Sequence, residues 1–220
     1  MAPYPATLGV ILAGGLARRM GGGDKPLLRL GGQTLLAHVA QRLAPQCESM
    51  ILNANGDLSR FGMLDIPVVQ DSISDNPGPL AGVLAALEWA ALHKPSITWV
   101  ATVPGDTPFI PRDLVLRLHA ARDAASTPLA CAASGANQHY TTCLWPVDLR
   151  HDMRHALLEG MRRVEDWMKL HGSTAAFWPA EPFDPFFNIN TPDDLAAAQD
   201  IFERHTSMDT AAARTGGYDA

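Results

Sequence analysis

Short apolar runs alternate along this chain with longer stretches whose apolar residues recur at helical spacing. The first run, TLGVILA (7–13), is nearly continuous and is followed at once by glycines, the pattern of a strand buried on both faces. TLLAHVAQRLAPQ (34–46) puts Leu35, Leu36, Val39 and Leu43 on one side of a helix that Pro45 stops. SMILNAN (49–55) and IPVVQD (66–71) predict two more strands. NPGPLAGVLAALEWAAL (76–92) predicts a helix entered at Gly78 and Pro79, where the missing proline N–H costs nothing. It is apolar almost all round except at Glu88, so it belongs deep in the fold. SITWVATVPGD (96–106) is the clearest strand and runs into a turn and a carboxylate. PRDLVLRLHAARDAA (111–125) predicts a helix with an N-terminal proline and an acidic first turn. PLACAAS and YTTCLWP read as strands. VDLRHDMRHALLEG and RVEDWMKLHG read as helices ended by Gly160 and Gly172. TPDDLAAAQDIFERH (191–205) reads as a helix capped by Thr191 with Pro192 first.

Strands alternating with helices predict an α/β fold with a mostly parallel sheet and helices on both faces. No internal repeat or second domain boundary is visible, so residues 1–205 are expected to form one domain. The last stretch, 206–220, has no apolar period and is expected to be a flexible tail. Ligands in such folds sit at the carboxyl ends of strands. The loop at 13–25 and Asp106 both follow strands, so both can face one crevice.

Composition narrows the function classes. The 220 residues carry a net charge of −6, against the basic face of a non-specific nucleic-acid binder. Cys47, Cys131 and Cys143 are odd in number and form no CxxC, so buried or idle thiols are expected rather than a disulfide framework or a zinc knuckle. No apolar run is long enough to span a bilayer, and no basic residue precedes the first apolar stretch as in a signal peptide. The expectation is a cytoplasmic protein with no membrane partner.

The stretch LAGGLARRMGGGDKP (12–26) sets three positive charges in a glycine-rich loop of an acidic chain. Glycines let backbone N–H groups approach an anion, and Arg18, Arg19 and Lys25 supply charge, so phosphates are the natural guests. The loop has neither GxxxxGK[ST] nor GxGxxG, which excludes a P-loop and the dinucleotide fingerprint. Elsewhere, His151 and His155 share a helix face, but HDMRH lacks the glutamate of HExxH and reads as a solvated pair. The five tryptophans read as core, with Trp145 and His139 left open as ligand contacts.

ILAGGLARRMGGGDKPLL resembles the signature LAGGxxxRMGxxDK of the molybdenum cofactor guanylyltransferases. The likeness continues through NAN (53–55), QD (70–71), GPLAG (78–82), PGDTPF (104–109), GMRRVEDWMKLHG (160–172) and FFNINTPDDL (186–195), which together span residues 8–203. Pro26 stands where many members have glycine; it removes no functional group. The resemblance implies a Rossmann-like three-layer sandwich, and an enzyme that joins GMP from GTP to the terminal phosphate of molybdopterin and releases pyrophosphate. It implies nucleotide contacts at Leu12, Ala13, Gly14, Gly15, Lys25, Asn53 and Asp71, Mg²⁺ on Asp106, and a molybdopterin side at Asn188 and Asn190. Molybdoenzymes or cofactor-biosynthesis proteins would be its protein partners.

The residues suit that chemistry. Asp106 is a hard oxygen ligand for Mg²⁺, or a turn residue in PGDTP. Lys25 can follow an α-phosphate as a mobile point charge, and Arg19 the β,γ-phosphates; Arg18, its neighbour, need not face the same way. Asp71 can accept from guanine N1–H and N2–H₂, or cap the turn before Ser72. Asn53 can bond ribose or base, or satisfy backbone at a strand end. Rival readings are a CTP-dependent or sugar-phosphate nucleotidyltransferase, and an inactive nucleotide-binding regulator. The cytidylyl relatives usually carry LAAG, which Gly14 opposes, and every charge the chemistry needs is present.

Overall fold

The computed structural model describes residues 4–14, 25–62, 64–73 and 78–215, with side chains described through 204. The first apolar run is strand β1 (Thr7–Leu12). After the glycine loop come a short ribbon, β2 (Arg29–Leu30) and β3 (Gln33–Thr34), then helix α1 (Leu35–Leu43). Strands β4 (Ser49–Asn53) and β5 (Val68–Val69), helix α2 (Pro79–His93), strand β6 (Trp99–Pro104) and helix α3 (Leu114–Ala125) follow. The remainder is β7 (Leu129–Ser134), β8 (Asn137–Pro146), α4 (Arg150–Leu158), α5 (Val164–His171), β9 (Ser173–Trp178) and α6 (Pro192–Thr215).

The main sheet has seven strands in the order β5-β4-β1-β6-β8-β7-β9. The pairs β4–β5, β1–β4, β1–β6 and β7–β9 are parallel, and β8 runs antiparallel to both its neighbours. The chain winds outward from β1 to β4 and β5, then returns to place β6 on the other side of β1. That reversal opens a crevice at the carboxyl ends of β1 and β6.

The sheet is buried on both faces. Leu8, Val10, Ile51 and Val100 pack with Leu80, Leu84 and Leu87 of α2, Met153 of α4 and Trp167 of α5. Ile11, Leu52, Ala101 and Val103 pack on the other side with Leu36 and Val39 of α1 and Leu114, Val115 and Leu118 of α3. The result is the three-layer α/β arrangement read from the alternation of elements. Glu88, the one charge on α2's apolar surface, is met by Arg154 Nη2 at 2.6 Å. Thr34 caps α1 by accepting from Ala37 N.

Three differences from the sequence reading stand out. Strand β9 and the β2–β3 ribbon are additional. The last helix extends beyond residue 205 to Thr215, into the stretch expected as a tail, and residues 216–220 lie outside the described residues. The expectation of three idle thiols is corrected: Cys131 and Cys143 are cross-strand partners on β7 and β8, with Cα atoms 4.1 Å apart, and are joined by a disulfide. Odd parity hid this pair, because Cys47 alone is free; burial pushes its thiol up to about 12. Among the described residues no helix is long and apolar enough to cross a membrane.

Candidate active site

The crevice has a volume of about 630 Å³. Its floor is the ends of the central strands. Leu12, Ala13 and Gly14 line it as β1 ends, and the ladder continues there through Ala13 N to Asn53 O (2.8 Å) and Gly105 N to Leu12 O (3.0 Å). Gly105 lies against Pro26, whose ring atoms would be 3.3 Å from a Cβ there, so the departure from glycine at 26 packs into the crevice floor. Gly15, Arg18 and Arg19 lie outside the described residues, as does Asp24.

At the centre, Lys25 opens a 3₁₀ turn (Lys25–Leu27) and Asp106 follows β6. Lys25 Nζ donates to Asp106 Oδ2 at 2.8 Å, both side chains being mostly buried. The same ammonium donates to Asn190 Oδ1. The other oxygen, Asp106 Oδ1, is buried with no hydrogen-bond partner among the described residues. A buried carboxylate oxygen left without a donor fits a cation ligand, and its hardness fits Mg²⁺. Among the described residues no group of three His, Cys, Asp or Glu side chains gathers as a metal cage. Among the described residues a cation here would find this one free carboxylate oxygen, with phosphate and water able to supply further ligands.

The segment 188–194 closes the site from below. Ile189 N donates to Asp106 O at 3.1 Å, and Thr107 Oγ1 donates to Asn188 Oδ1. Asn190 N and Thr191 N both donate to Asp194 Oδ2 at 2.8 Å, while Asp194 N donates to Thr191 Oγ1 at 3.2 Å. This reciprocal capping box starts α6 and fixes the backbone from which Asn190 reaches Lys25. The backbone N–H of Asn190, foremost, holds the Asp194 carboxyl below the usual carboxylate range. The asparagines assigned to the molybdopterin side thus stand beside Lys25 and Thr107, next to the Lys25–Asp106 pair.

The β4–β5 flank carries a polar network. Asp71 Oδ1 accepts from Asn53 Nδ2 at 2.9 Å and Asp71 Oδ2 from Asn55 Nδ2 at 2.8 Å. Asn53 is buried, and a Cβ on Gly82 of α2 would lie 2.2 Å from its Oδ1. The glycine of GPLAG is what lets helix and asparagine approach so closely. Arg60 and Asn55 also line this flank.

The β8 flank contributes Thr141. Cys131 pairs with Cys143 but the next residue, Ala132, pairs with His139, so residues 140–142 bulge from the ladder. Bulges of this kind re-aim a side chain beside a site. His139 itself is held by Ser134 Oγ at 2.7 Å, and burial lowers its pKa. Trp145 is fully buried, donates to Thr102 Oγ1 and lies in the core, away from the crevice. His155 is exposed and pairs with Glu159, as a solvated histidine does. Asn55 fell within the NAN run but was given no role, and Arg60 and Thr141 had no mark in the sequence: only the fold brings a loop, a 3₁₀ turn and a bulge to one crevice.

The model of the MobA-like NTP transferase domain matches residues 9–174. The molybdenum cofactor guanylyltransferase of Nitrobacter hamburgensis is 52% identical over 196 residues, 89% of this chain and 94% of its own length. That of Rhodopseudomonas palustris strain BisB5 is 51% identical over 202 residues, 91% of this chain and 96% of its own. The crystal structure of molybdopterin-guanine dinucleotide biosynthesis protein A from Archaeoglobus fulgidus is similar in fold, with a TM-score of 0.71 at 21% identity over 90% of this chain and 99% of that one. The protein is a nucleotidyltransferase enzyme. By match length and identity together, this chain belongs to the molybdenum cofactor guanylyltransferases of the MobA-like NTP transferase family.

Proposed function

We propose that the chain transfers GMP from GTP to the terminal phosphate of molybdopterin, forming molybdopterin guanine dinucleotide, and that the residues of this crevice do it. The observation that carries the residue assignment is the pairing of Lys25 with Asp106 at the strand-end reversal, with Asp106 Oδ1 buried beside it and unpartnered among the described residues. The reaction is a displacement at the α-phosphorus. An acceptor phosphate oxygen forms the new P–O bond, the bond to the β-phosphate oxygen breaks, and pyrophosphate leaves with that electron pair.

Such transfers depend on positioning and on neutralising charge. The backbone at Leu12, Ala13 and Gly14 and the carboxylate of Asp71 would hold the guanine, with Asn53 steadying that carboxylate. Lys25 would move from Asp106 to the α-phosphate oxygens, where charge builds as the phosphorus becomes five-coordinate. Asn190, already bonded to the ammonium, would keep it aimed during that move. Asn188 and Asn190 would meet the acceptor from the side of the 188–194 segment, and Arg19 and Gly15 the remaining phosphates. Asp106 would hold a divalent cation, Mg²⁺ by its ligand preference, which supplies charge neutralisation on the phosphate oxygens when bound. Residues 1–205 are taken as the catalytic domain and 206–220 as a tail outside it. A cytoplasmic setting, and handover to molybdoenzymes or cofactor-biosynthesis proteins, go with this reading.

The test is pyrophosphate release by the purified protein from GTP, ATP and CTP, with and without Mg²⁺ and molybdopterin. The reading expects release only from GTP with both present. Equal release from CTP, or release indifferent to molybdopterin, would overturn it.

A further inference from the structure

Asn55 makes an unusual pair of contacts for an exposed loop residue. Its Nδ2 donates to Asp71 Oδ2 at 2.8 Å, and its Oδ1 accepts from the backbone N of Asp71 at 3.0 Å. One amide therefore grips one residue at both its side chain and its main chain. The grip is braced from behind, because Arg60 Nη2 donates to Asn55 O at 2.7 Å. The other carboxylate oxygen, Asp71 Oδ1, is held by Asn53 at 2.9 Å.

A carboxylate turns readily about its Cβ–Cγ bond, since that torsion is broad. A donor on one oxygen leaves much of this freedom; a donor on each oxygen fixes the plane. Each oxygen then keeps one lone pair for a ligand. Guanine presents two donors side by side, N1–H and N2–H₂, and a bidentate match to them needs the plane fixed in advance.

We propose that Asn55 is a specificity-determining positioning residue: by clamping Asp71 at side chain and backbone, it holds the carboxylate in the plane that both guanine donors require. This rests on the assignment of Asp71 to the guanine edge. Hypoxanthine keeps N1–H and O6 but lacks the 2-amino group, so the ratio of ITP to GTP dissociation constants reports on the second contact alone. Adenine lacks both donors.

The experiment measures dissociation constants of GTP, ITP and ATP by calorimetry for the unaltered protein, Asn55→Ala, Asn55→Asp and Asp71→Asn. Asn55→Asp keeps the acceptor for Asp71 N–H but sets a like charge against Asp71 Oδ2. The ITP/GTP ratio should fall about tenfold in Asn55→Ala, the scale of one hydrogen bond to a charged group, and further in Asn55→Asp. A uniform weakening of all three nucleotides in both Asn55 variants, with the ratio unchanged, would overturn the proposal and leave Asn55 a loop fastener. If Asp71→Asn changes the ratio while neither Asn55 variant does, the proposal fails and the assignment of Asp71 stands. If none of the three changes it, the assignment of Asp71 to guanine fails as well.

Discussion

Asp106 serves two neighbours with one carboxylate. Oδ2 holds Lys25, and Oδ1 faces no donor among the described residues. Asparagine in its place keeps the size and one oxygen, but removes the charge and puts an amide hydrogen on one side. Asp106→Asn should lower pyrophosphate release from GTP by about 10²-fold or more, the scale seen when one charge-stabilising group is lost, while the GTP dissociation constant changes far less. Near-normal turnover at saturating Mg²⁺ would remove Asp106 from the metal role. Gly82 gives a second test that touches no reacting atom. Alanine there gains helix propensity, yet its Cβ would sit 2.2 Å from Asn53 Oδ1 and 3.1 Å from Leu12 Cδ2. Asn53 is buried and tied to Val69 O as well as to Asp71, so it has little room to yield. Gly82→Ala should cost about 1–3 kcal/mol of stability in urea titration and raise the GTP dissociation constant, because moving Asn53 releases Asp71. Stability and GTP affinity both unchanged would mean that the asparagine swings away freely. Lys25, Asn53, Asp71 and Asp106 were legible in the sequence because each closes an apolar run or a glycine loop. The roles of Asn55 and Thr141 were not, because Asn55 works through Asp71, sixteen residues on, and Thr141 is turned to the crevice by a bulge that only strand pairing creates.

At the scale of elements, the strands that sequence reading found are the ones with dense apolar residues. Strand β9, STAAFW, was missed for a physical reason: its first four residues are small and carry no apolar alternation, and pairing with β7 makes it a strand. Its last residue is anchored by Trp178 Nε1 donating to Asp113 Oδ1 at 3.0 Å and by Arg117 stacked on the ring. The reach of β8 back to Asn137 was missed likewise, since ANQH carries no apolar alternation. The start of α6 was legible in full, as threonine, proline and an acid three residues on. What the letters do not reveal is that this cap also aims a site residue. The Asp194 carboxylate takes both Asn190 N and Thr191 N, and Asn190 is the residue that meets Lys25. Asp194→Ala should cost about 1 kcal/mol in thermal or urea unfolding, as loss of a cap does, and should also lower kcat. Asp194→Glu, which restores the acid of a capping box, should recover most of both. Loss of stability with kcat intact would confine the box to holding the helix.

At the scale of the whole molecule, the crevice is at one end of the sheet and a buried histidine pins the other. His119 of α3 is 2% exposed and sits at the foot of β1 and β6, stacked on Tyr4 at 5.2 Å and edge-on to Trp99 at 5.5 Å. Thr7 Oγ1 donates its one hydrogen to Pro5 O, so the 2.9 Å contact with His119 must be Nε2–H donating to the hydroxyl. That fixes the neutral tautomer and leaves Nδ1 bare, buried and without a partner among the described residues. Protonation would place an unmatched donor in that pocket, near the Arg122 guanidinium. Burial first, and Arg122 second, push the His119 pKa down to about 4, against a smaller opposing pull from Asp123. A histidine depressed in the fold binds its proton more readily in the unfolded chain. Its contribution to stability is therefore complete above the unfolded value near 6.5, and is lost as pH falls toward 4. The slope from this one group cannot exceed about 1.4 kcal/mol per pH unit, and carboxylates add their own losses at the acid end of the window. His119→Gln isolates it, because the amide can still donate to Thr7 but does not titrate. Urea unfolding from pH 7 to 4.5 should fall more steeply for the unaltered protein than for His119→Gln, with the gap opening between pH 6.5 and 5. GTP binding at pH 7 should be the same in both, since the substitution lies at the end of the sheet opposite the crevice. Parallel curves across that range would mean that His119 takes up its proton as readily in the folded protein as in the unfolded chain.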